Sequence, residues 1–433
     1  MLNPDEEFSR NSVERAILVG SILPRQGRHD VDEYLDELAL LADTAGAEVV
    51  RRVVQDRKAI DPAYFVGKGK AKEIAEQAKK LNLDLVIFDD DLTPAQIRNL
   101  ESMTSVKVID RSGLILDIFS RRAKSREAKT QVELAQLEYL LPRLTRRWQH
   151  LSRQEGGIGT RGPGETQLEV DRRLVAKRIS TLKAELQKIS QQRDTRRRNR
   201  SDIYKVAMVG YTNTGKSTLL NTLTSADVAT ENRLFVTLDS TIRGLSLSPQ
   251  LRVLLIDTVG FIRKLPHHLV ASFRSTLEEA VSSDLLLHVV DISHPMFQDQ
   301  IESVKLVLSD LKIIDKPAIT VFNKIDLLKN RNLVGRLRDE YDPAVFVSAT
   351  RGYMLSDLLD SIRKTYEHEV IDTDIELRSH VSEVLAEVGS LGTILDTDVR
   401  NGRFHLKFRI SRVNLRKLEN RLRKFPVPEL KTD

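Results

Sequence analysis

Residues 205–224 carry the spacing in this sequence that is best suited to chemistry. The run KVAMV is typical of a buried strand, and Gly210, Gly215, Lys216 and Ser217 follow it in the pattern G-x-x-x-x-G-K-S. Backbone amides in such a turn hold phosphate oxygens, the lysine supplies charge to the outer two phosphates, and the serine hydroxyl can ligate magnesium. The predicted phosphate-binding residues are Gly210, Tyr211, Thr212, Asn213, Thr214, Gly215, Lys216, Ser217 and Thr218.

A second segment, LLIDTVG, ends a predicted strand with Asp257 and Gly260. The carboxylate can reach magnesium directly or through water, and the glycine amide can contact the γ-phosphate. Between the two segments, ENRLFVTLDSTIRG offers hydroxyls that could sense magnesium and the γ-phosphate. We predict Thr237 as this switch threonine, with Thr241 as the alternative. Lys216, Thr237 and Gly260 are therefore the predicted catalytic groups, and Ser217, Thr237 and Asp257 the predicted magnesium ligands.

Two further strand ends select the base. ITVFNKID places Asn323, Lys324 and Asp326 after a strand, and VFVSAT places Ser348 and Ala349 where a loop can close over a nucleobase. A carboxylate at Asp326 can accept hydrogen bonds from the guanine ring N–H and from its amino group, whereas adenine presents the wrong donors and acceptors. The four segments in this order predict a domain that binds GTP and GDP and hydrolyses GTP.

The predicted nucleotide-binding residues all follow strands, so a fold of alternating strands and helices is needed to position them. Residues 15–120 also alternate strand-like and helix-like segments, which predicts a small, largely parallel α/β domain in the N-terminal part of the chain. Aspartates at 89, 90, 91 and 110 follow predicted strands; they could bind metal or nucleotide, but Asp91 before LTPAQ is better explained by turn and helix-cap chemistry. The run VGKGK at 66–70 lacks the full spacing of a nucleotide loop.

Two heptad patterns flank a glycine-rich segment. Leucines and Trp148 in residues 125–153, and apolar residues in 165–193, are spaced three and four apart, which predicts an antiparallel helical hairpin with arms of about 40 Å. Pro142 predicts a kink or a restart of the first helix. The intervening GGIGTRGPG, residues 156–164, would lie at the tip of the hairpin.

The tip has three possible roles. A phosphate cradle for a small nucleotide is disfavoured because no strand precedes it. A flexible hinge is the plain alternative. We favour RNA contact, since bare glycine backbone, an indole and arginines can approach folded RNA closely. The predicted RNA contacts are Arg146, Arg147, Trp148, Arg153, Gly157, Arg161, Arg172 and Arg173.

Charge along the 433 residues is segregated although the net value is only +6. Residues 121–200 hold 21 Lys+Arg and 9 Asp+Glu, and residues 400–424 hold ten basic residues and one acidic residue, Glu419. Such segregation favours a polyanion-binding surface over a merely solvated one. Cysteine is absent, and we see no signal peptide or membrane-spanning run. We therefore expect a cytoplasmic protein with no stable membrane insertion, and a monomer.

The expected fold class is α/β multidomain. We predict an N-terminal α/β domain (1–120), a basic helical hairpin with a glycine-rich tip (121–200), a P-loop GTPase domain with a mixed, mostly parallel sheet (201–369) and a small basic α+β domain (370–433). In the last domain GRFHLKFRIS alternates apolar and basic residues, so one face should pack and the other should face RNA or a protein.

The phosphate loop, DTVGF, NKID and GTRGPGETQLEVDRR together resemble the HflX family of translational GTPases along nearly the whole chain. The resemblance implies a GTPase that binds the large ribosomal subunit and its rRNA, can separate ribosomal subunits in stress, and presents its helical tip towards the peptidyl-transferase region.

The resemblance also bears on hydrolysis. Phe261 stands where many small GTPases have a glutamine, and a phenyl ring cannot orient water, so basal hydrolysis should be slow and the RNA-rich partner is the expected activator. Arg263 and Lys264 could donate charge, although solvated switch residues are the simpler interpretation. Asn213 matches the asparagine of potassium-stimulated relatives, which makes K⁺ a candidate cofactor beside Mg²⁺.

Three functions are compatible with these features. The leading hypothesis is a GTP-dependent switch that docks on the large subunit in its GTP form and is released after hydrolysis. The second is a GTP-timed RNA-binding factor for ribosome assembly or rRNA remodelling. The third adds an ATP-dependent RNA helicase activity of the N-terminal domain, for which the sequence offers only VGKGK.

Overall fold

The computed structural model describes residues 13–24, 26–144, 167–198, 203–224, 234–235, 237, 240–248, 251–264, 274–328, 332–377, 381–400, 403–422 and 431–432. The chain divides into two compact units. The first comprises residues 1–188, 231–239 and 264–275, and the second comprises residues 189–230, 240–263 and 276–433.

A four-stranded parallel sheet organises the N-terminal part of the first unit. Its strands are β1 (Glu14–Ile22), β2 (Ala47–Asp56), β3 (Leu85–Phe88) and β4 (Lys107–Asp110), in the order β2-β1-β3-β4. Its helices are α1 (Arg28–Ala45), α2 (Lys68–Lys80), α3 (Pro94–Thr104) and α4 (Arg111–Arg122). The predicted parallel α/β fold of this region is confirmed, and α4 is an additional helix that we did not predict.

The N-terminal cap of α3 differs from the one we predicted. Thr93, not Asp91, caps α3: its hydroxyl accepts a hydrogen bond from the Gln96 amide at 3.3 Å. Asp91 instead accepts a hydrogen bond from the Ser112 hydroxyl. Asp110 caps α4 through the Gly113 amide at 2.8 Å. The VGKGK run simply begins α2, with Gly67 preceding its first residue.

An unequal pair of helices follows. Helix α5 (Arg126–Leu140) ends in a 3₁₀ turn at Leu141–Arg143 that contains Pro142, as the predicted break requires. Helix α6 (Gln167–Arg198) has 32 residues. At a rise of about 1.5 Å per residue, α5 is about 22 Å long and α6 about 48 Å long. Residues 145–153 of the predicted first arm lie outside the described residues, so the predicted length of that arm stays a prediction. Leu134, Ile179 and Leu182 form the buried contact between the helices.

A six-stranded mixed sheet forms the centre of the second unit. Its strands are β5 (Lys205–Gly210), β6 (Thr241–Ser246), β7 (Arg252–Asp257), β8 (Leu285–Asp291), β9 (Ala318–Asn323) and β10 (Ala344–Phe346). The order is β10-β9-β8-β5-β7-β6, and only β6 runs antiparallel to its neighbour. The accompanying helices are α7 (Lys216–Thr224), α8 (Arg274–Val281), α9 (Phe297–Asp310), α10 (Asn332–Glu340) and α11 (Leu355–Glu369). The predicted GTPase-type sheet is thereby confirmed.

A smaller antiparallel sheet is formed by residues 370–432. It contains β11 (Val370–Leu377), β12 (Gly392–Arg400), β13 (Arg403–Ser411) and β14 (Lys431–Thr432), in the order β12-β13-β11-β14, with α12 (Val381–Leu391) and α13 (Arg412–Leu422). Leu406, Phe408 and Ile410 of β13 are buried as predicted. The opposite face is not purely basic, because β11 places Asp372, Asp374 and Glu376 beside the basic residues of β13. Within the described part of the chain, no helix is long and apolar enough to cross a membrane.

Candidate nucleotide-binding site

The loop between β5 and α7 is built around two glycines that cannot be replaced without strain. Gly210 has φ +155° and Gly215 has φ +91°. A Cβ on Gly210 would lie 2.2 Å from the Val289 carbonyl oxygen, and one on Gly215 would lie 2.4 Å from Asn323 Nδ2. Asn213 also adopts a left-handed conformation, with φ +60°. The loop therefore wraps closely enough for its amides to converge on an anion.

Lys216 lies inside this loop. Its ammonium donates hydrogen bonds to the carbonyl oxygens of Gly210 at 3.0 Å and Tyr211 at 2.7 Å, and the side chain is 5 % exposed. Burial lowers the pKa of Lys216 to about 8, and the nearby Asp257 carboxylate opposes that shift. A buried ammonium group at the N-terminus of a helix is suited to binding the negatively charged oxygens of a phosphate.

The predicted magnesium ligands lie together. The Ser217 hydroxyl donates a hydrogen bond to Asp257 Oδ2 at 2.6 Å, and Asp257 is fully buried at the end of β7. Hydroxyl and carboxylate oxygens are the ligands that Mg²⁺ prefers, with the remaining positions filled by water and phosphate. The donor set fits magnesium. Among the described residues there is no cluster of three or more His, Cys, Asp or Glu that would hold a metal without such additional ligands.

Gly260 and Phe261 contact the phosphate loop through their backbone. The Thr212 amide donates to the Phe261 carbonyl at 2.7 Å, and the Phe261 amide donates to the Gly210 carbonyl at 3.0 Å. A Cβ on Gly260 would lie 2.8 Å from Thr212 Cα and 3.1 Å from Lys216 Nζ. Only glycine allows this approach, so the Gly260 amide is placed beside the loop. The Phe261 ring is buried, with 2 % exposure.

Asn323 joins the two halves of the site. Its Nδ2 donates to the Thr214 carbonyl at 2.8 Å, and its Oδ1 accepts from the Ala349 amide at 2.9 Å. The side chain thus connects the phosphate loop to the loop after β10. Asn323 and Ala349 are both 2 % exposed, and Ser348 is fully buried.

The neighbouring residues leave a carboxylate accessible for the base. Lys324, at φ +65°, forms an ion pair with Asp291 Oδ2 at 2.7 Å. Asp326 lies in a short 3₁₀ turn, Ile325–Leu327, and is exposed. An exposed carboxylate next to a fixed lysine can accept the two guanine donors, as the sequence predicts.

Sequence reasoning missed one supporting residue, Asp291, and one supporting contact of a predicted residue, Tyr211. Asp291, which holds Lys324, ends β8 in the run HVVD, and this strand-end position was the available signal. The Tyr211 hydroxyl accepts a hydrogen bond from the Arg263 amide at 2.6 Å, which ties the segment after β7 to the phosphate loop. No sequence pattern indicates that contact.

The interpretation of Lys264 as a solvated residue was wrong. In the first unit, its ammonium contacts Asp89 Oδ2 at 2.8 Å and also Asp90. Arg111 donates to the same Asp89 at 2.6 Å. The carboxylates after β3 are thus paired with protein cations, which opposes their alternative role as metal ligands. Thr237 is half-buried in this unit, and Thr241 begins β6 opposite Asp257; the role of Thr237 stays a prediction.

Most of the predicted RNA contacts lie outside the described residues, namely Arg146, Arg147, Trp148, Arg153, Gly157 and Arg161. Arg172 and Arg173 are described and exposed on α6. The Arg172 guanidinium donates to the Leu144 carbonyl at 3.1 Å, so it also fastens the start of α6 to the end of the 3₁₀ turn.

Three family models match successive parts of the chain. They are described as GTP-binding GTPase N-terminal over residues 32–120, GTP-binding GTPase Middle Region over residues 122–200 and 50S ribosome-binding GTPase over residues 205–324. Together these matches span well over half of the sequence.

Individual relatives agree with the family models. GTPase HflX of Flavobacterium psychrophilum is 52 % identical over 317 residues, covering 73 % of this chain and 76 % of the relative. GTPase HflX of Caldanaerobacter subterraneus is 50 % identical over 363 residues, covering 83 % and 82 %. Among solved structures, a GTP-binding protein of Sulfolobus solfataricus in complex with GDP is 25 % identical, covers 82 % of this chain and 99 % of its own, and superposes with a TM-score of 0.44.

Proposed function

The chain belongs to the HflX family of GTPases, and from that premise we propose that it binds the large ribosomal subunit in its GTP form and dissociates or rescues ribosomes. Hydrolysis of GTP, stimulated by the ribosome, would then release it. The observation that carries the proposal is the complete nucleotide constellation of Lys216, Ser217–Asp257, Gly260 and Asn323, in a chain whose residues 121–200 are strongly basic.

The site residues suggest how the cycle would proceed. The loop amides and the Lys216 ammonium would hold the phosphates, and Ser217, Asp257 and Thr237 would support Mg²⁺, which neutralises phosphate charge during hydrolysis. The Gly260 amide would detect the γ-phosphate, and Asp326 with Asn323 would select guanine. Asn213, already in a left-handed conformation, is the residue we propose to assist a K⁺ ion.

The proposed activation by the ribosome follows from Phe261. Its ring is buried and has no hydrogen-bonding group, so it cannot orient the attacking water. We expect slow basal turnover, because another group must position that water. A partner rich in RNA is the proposed source, since the basic residues of the hairpin favour a polyanion.

The test is GTP turnover with and without purified large ribosomal subunits. The intact chain should be strongly stimulated, and removal of residues 156–164 should reduce the stimulation while leaving basal turnover unchanged. Lys216→Ala serves as the inactive control. No stimulation of the intact chain would contradict the proposed partner.

A binding experiment separates this function from a GTP-timed RNA remodelling factor. Co-sedimentation with large subunits should be stronger with a non-hydrolysable GTP analogue than with GDP. Equal binding of large subunits in the presence of the GTP analogue and of GDP would contradict the switch model. Stimulated hydrolysis that survives removal of the tip, together with the disappearance of rRNA remodelling, would favour the assembly alternative.

A further inference from the structure

Asp110 is a fully buried carboxylate at the end of β4. Its Oδ1 accepts hydrogen bonds from the Gly113 amide and from the Tyr139 hydroxyl, both at 2.8 Å. Its Oδ2 accepts hydrogen bonds from the Leu92 amide and from Arg143 Nη2, both at 3.1 Å. The cap of α4 needs only the Gly113 contact, so the other contacts join separate parts of the chain to the end of β4.

Two of these donors belong to the helical hairpin of α5 and α6. Tyr139 lies in the last turn of α5, and Arg143 ends the 3₁₀ turn that follows. The Arg143 guanidinium lies 3.6 Å from the centre of the Tyr139 ring and donates to the Tyr139 carbonyl at 2.8 Å. It also donates to the Leu92 carbonyl at 3.1 Å. The end of α5 is thus attached both to β4 and to the segment before α3.

Apolar burial holds only the other end of α5. Ala128, Val132 and Ala135 are buried, whereas none of residues 136–143 is buried. The contacts of Asp110 therefore replace apolar packing over the last turns of this arm. Hydrogen bonds to a charged acceptor are directional, so they fix an orientation more closely than apolar contact does.

The Tyr139 hydroxyl keeps its proton and stays a donor. Removal from water raises the pKa of Tyr139, and the neighbouring Asp110 charge raises it further. The approach of α5 to α4 is also close, because a Cβ on Gly113 would lie 2.7 Å from the Tyr139 hydroxyl oxygen. A side chain at residue 113 would therefore disturb the contact.

The start of α6 is fastened next to the same cluster. Arg172 donates to the carbonyl of Leu144, the residue that follows Arg143, at 3.1 Å. Residues 145–166, which connect Leu144 to Gln167, lie outside the described residues. The two ends that lead into the glycine-rich segment thus depend on one attachment to the N-terminal sheet.

We propose that Asp110, Tyr139 and Arg143 are positioning residues that fix the end of α5 relative to the N-terminal sheet and so align the hairpin for stimulation of GTP hydrolysis. The buried part of α5 would be the fixed base, and the polar cluster would prevent rotation of the end that leads to the tip. The effect on stimulation rests on the proposed function, whereas the fixed position of the arm does not.

The position of the arm can be measured directly with spin labels. The chain contains no cysteine, so Lys79→Cys on α2 and Leu174→Cys on α6 introduce two unique labelling sites, both at exposed residues. Double electron–electron resonance gives the distribution of distances between the two labels. In the full-length protein, Tyr139→Phe and Arg143→Gln should each broaden this distribution, because the end of α5 loses an attachment.

Matched variants in the same domain serve as controls. Tyr64→Phe removes a hydroxyl from the core beside α2. Arg52→Gln removes an exposed ion pair with Asp36 on β2, at the opposite edge of the sheet from β4. Neither should change the distribution. An unchanged distribution in both Tyr139→Phe and Arg143→Gln, or equal broadening in the controls, would overturn the proposal.

GTP turnover then separates alignment from a general loss of stability. Basal turnover should be unchanged in Tyr139→Phe and Arg143→Gln. Stimulation by large ribosomal subunits should fall by about tenfold in each, because a hydrogen bond to a charged acceptor contributes about a tenfold change in an equilibrium. Stimulation equal to that of the unsubstituted chain would overturn the role in alignment. Absence of stimulation in the unsubstituted chain would contradict the proposed function instead, and the distance measurement would still decide whether the cluster fixes the arm.

Discussion

At the scale of single residues, Lys216 connects burial to nucleotide affinity. Its pKa is lowered to about 8 because the buried ammonium is removed from water. Phosphate interacts with the charged form, so above about pH 8 an increasing fraction of the protein must take up a proton to bind. The affinity for GDP should therefore fall as the pH rises, by up to about tenfold per pH unit.

Titration of GDP binding by calorimetry from about pH 7 to about pH 9.5 checks this prediction. Lys216→Ala should bind weakly and should not show the fall in affinity over that range. The same pH dependence in the variant would assign the titration to another group.

Asp326 is expected to determine the base. In Asp326→Asn the side-chain amide presents a donor to the guanine amino group in place of an acceptor. One hydrogen bond is lost, two donors are brought together and the remaining bond loses its charged acceptor, so GTP binding should weaken by about a hundredfold. Xanthosine triphosphate, which has a carbonyl oxygen at that position, should bind the variant better than GTP. Competition against labelled GDP measures both affinities, with Asp339→Asn as an exposed control on α10.

At the scale of elements, the contact between Lys264 and the end of β3 stabilises the first unit. Asp89 is 4 % exposed and Lys264 is 30 % exposed, so replacing the lysine removes one of the cations that neutralise a buried carboxylate, while Arg111 stays in place. Lys264→Ala should lower the opening free energy of β3 by about 1–2 kcal/mol, less than for a fully buried charge pair.

Native-state hydrogen exchange at residues 85–88 measures that free energy. Lys264→Arg should retain most of the stability. Lys305→Ala is the matched control, because the pair of Lys305 with Glu302 is exposed and should contribute little. Equal protection in Lys264→Ala and the unsubstituted protein would show that β3 is held without the lysine.

At the scale of the whole molecule, the charge of residues 121–200 should appear in the salt dependence of large-subunit binding. Part of this charge is already used inside the protein, since Arg126 and Arg178 pair with Glu185 and Glu133. Arg172→Ala with Arg173→Ala should reduce the slope of log affinity against log salt by about one unit for each phosphate that is no longer neutralised. Sedimentation at several salt concentrations measures the slope, and Lys305→Ala should leave it unchanged.

The sequence predicted what depends on local spacing. The phosphate loop, the strand ends that carry Asp257 and Asn323, and the break at Pro142 are all encoded within a few residues. Contacts between distant segments were not predictable in this way: Lys264 and Asp89 are 175 residues apart, and the charge of β13 is balanced by neighbouring strands. Alternation within one strand shows which residues share a face, but it does not show what the adjacent strands place beside them.

Residues of opposite charge face one another across β11, β13 and β12 in the C-terminal sheet. This arrangement also restricts which substitutions the sequence can accept during evolution. Reversing the charge of Lys407 alone would place a third carboxylate between those of Asp374 and Asp396. Reversing the charge of Asp372 alone would place a positive charge opposite Arg409. Substitutions at these positions should consequently be correlated among family members, with compensating exchanges across β11, β12 and β13 rather than independent change. Covariation between positions 372 and 409 in family sequences would show that this pairing has been maintained by selection.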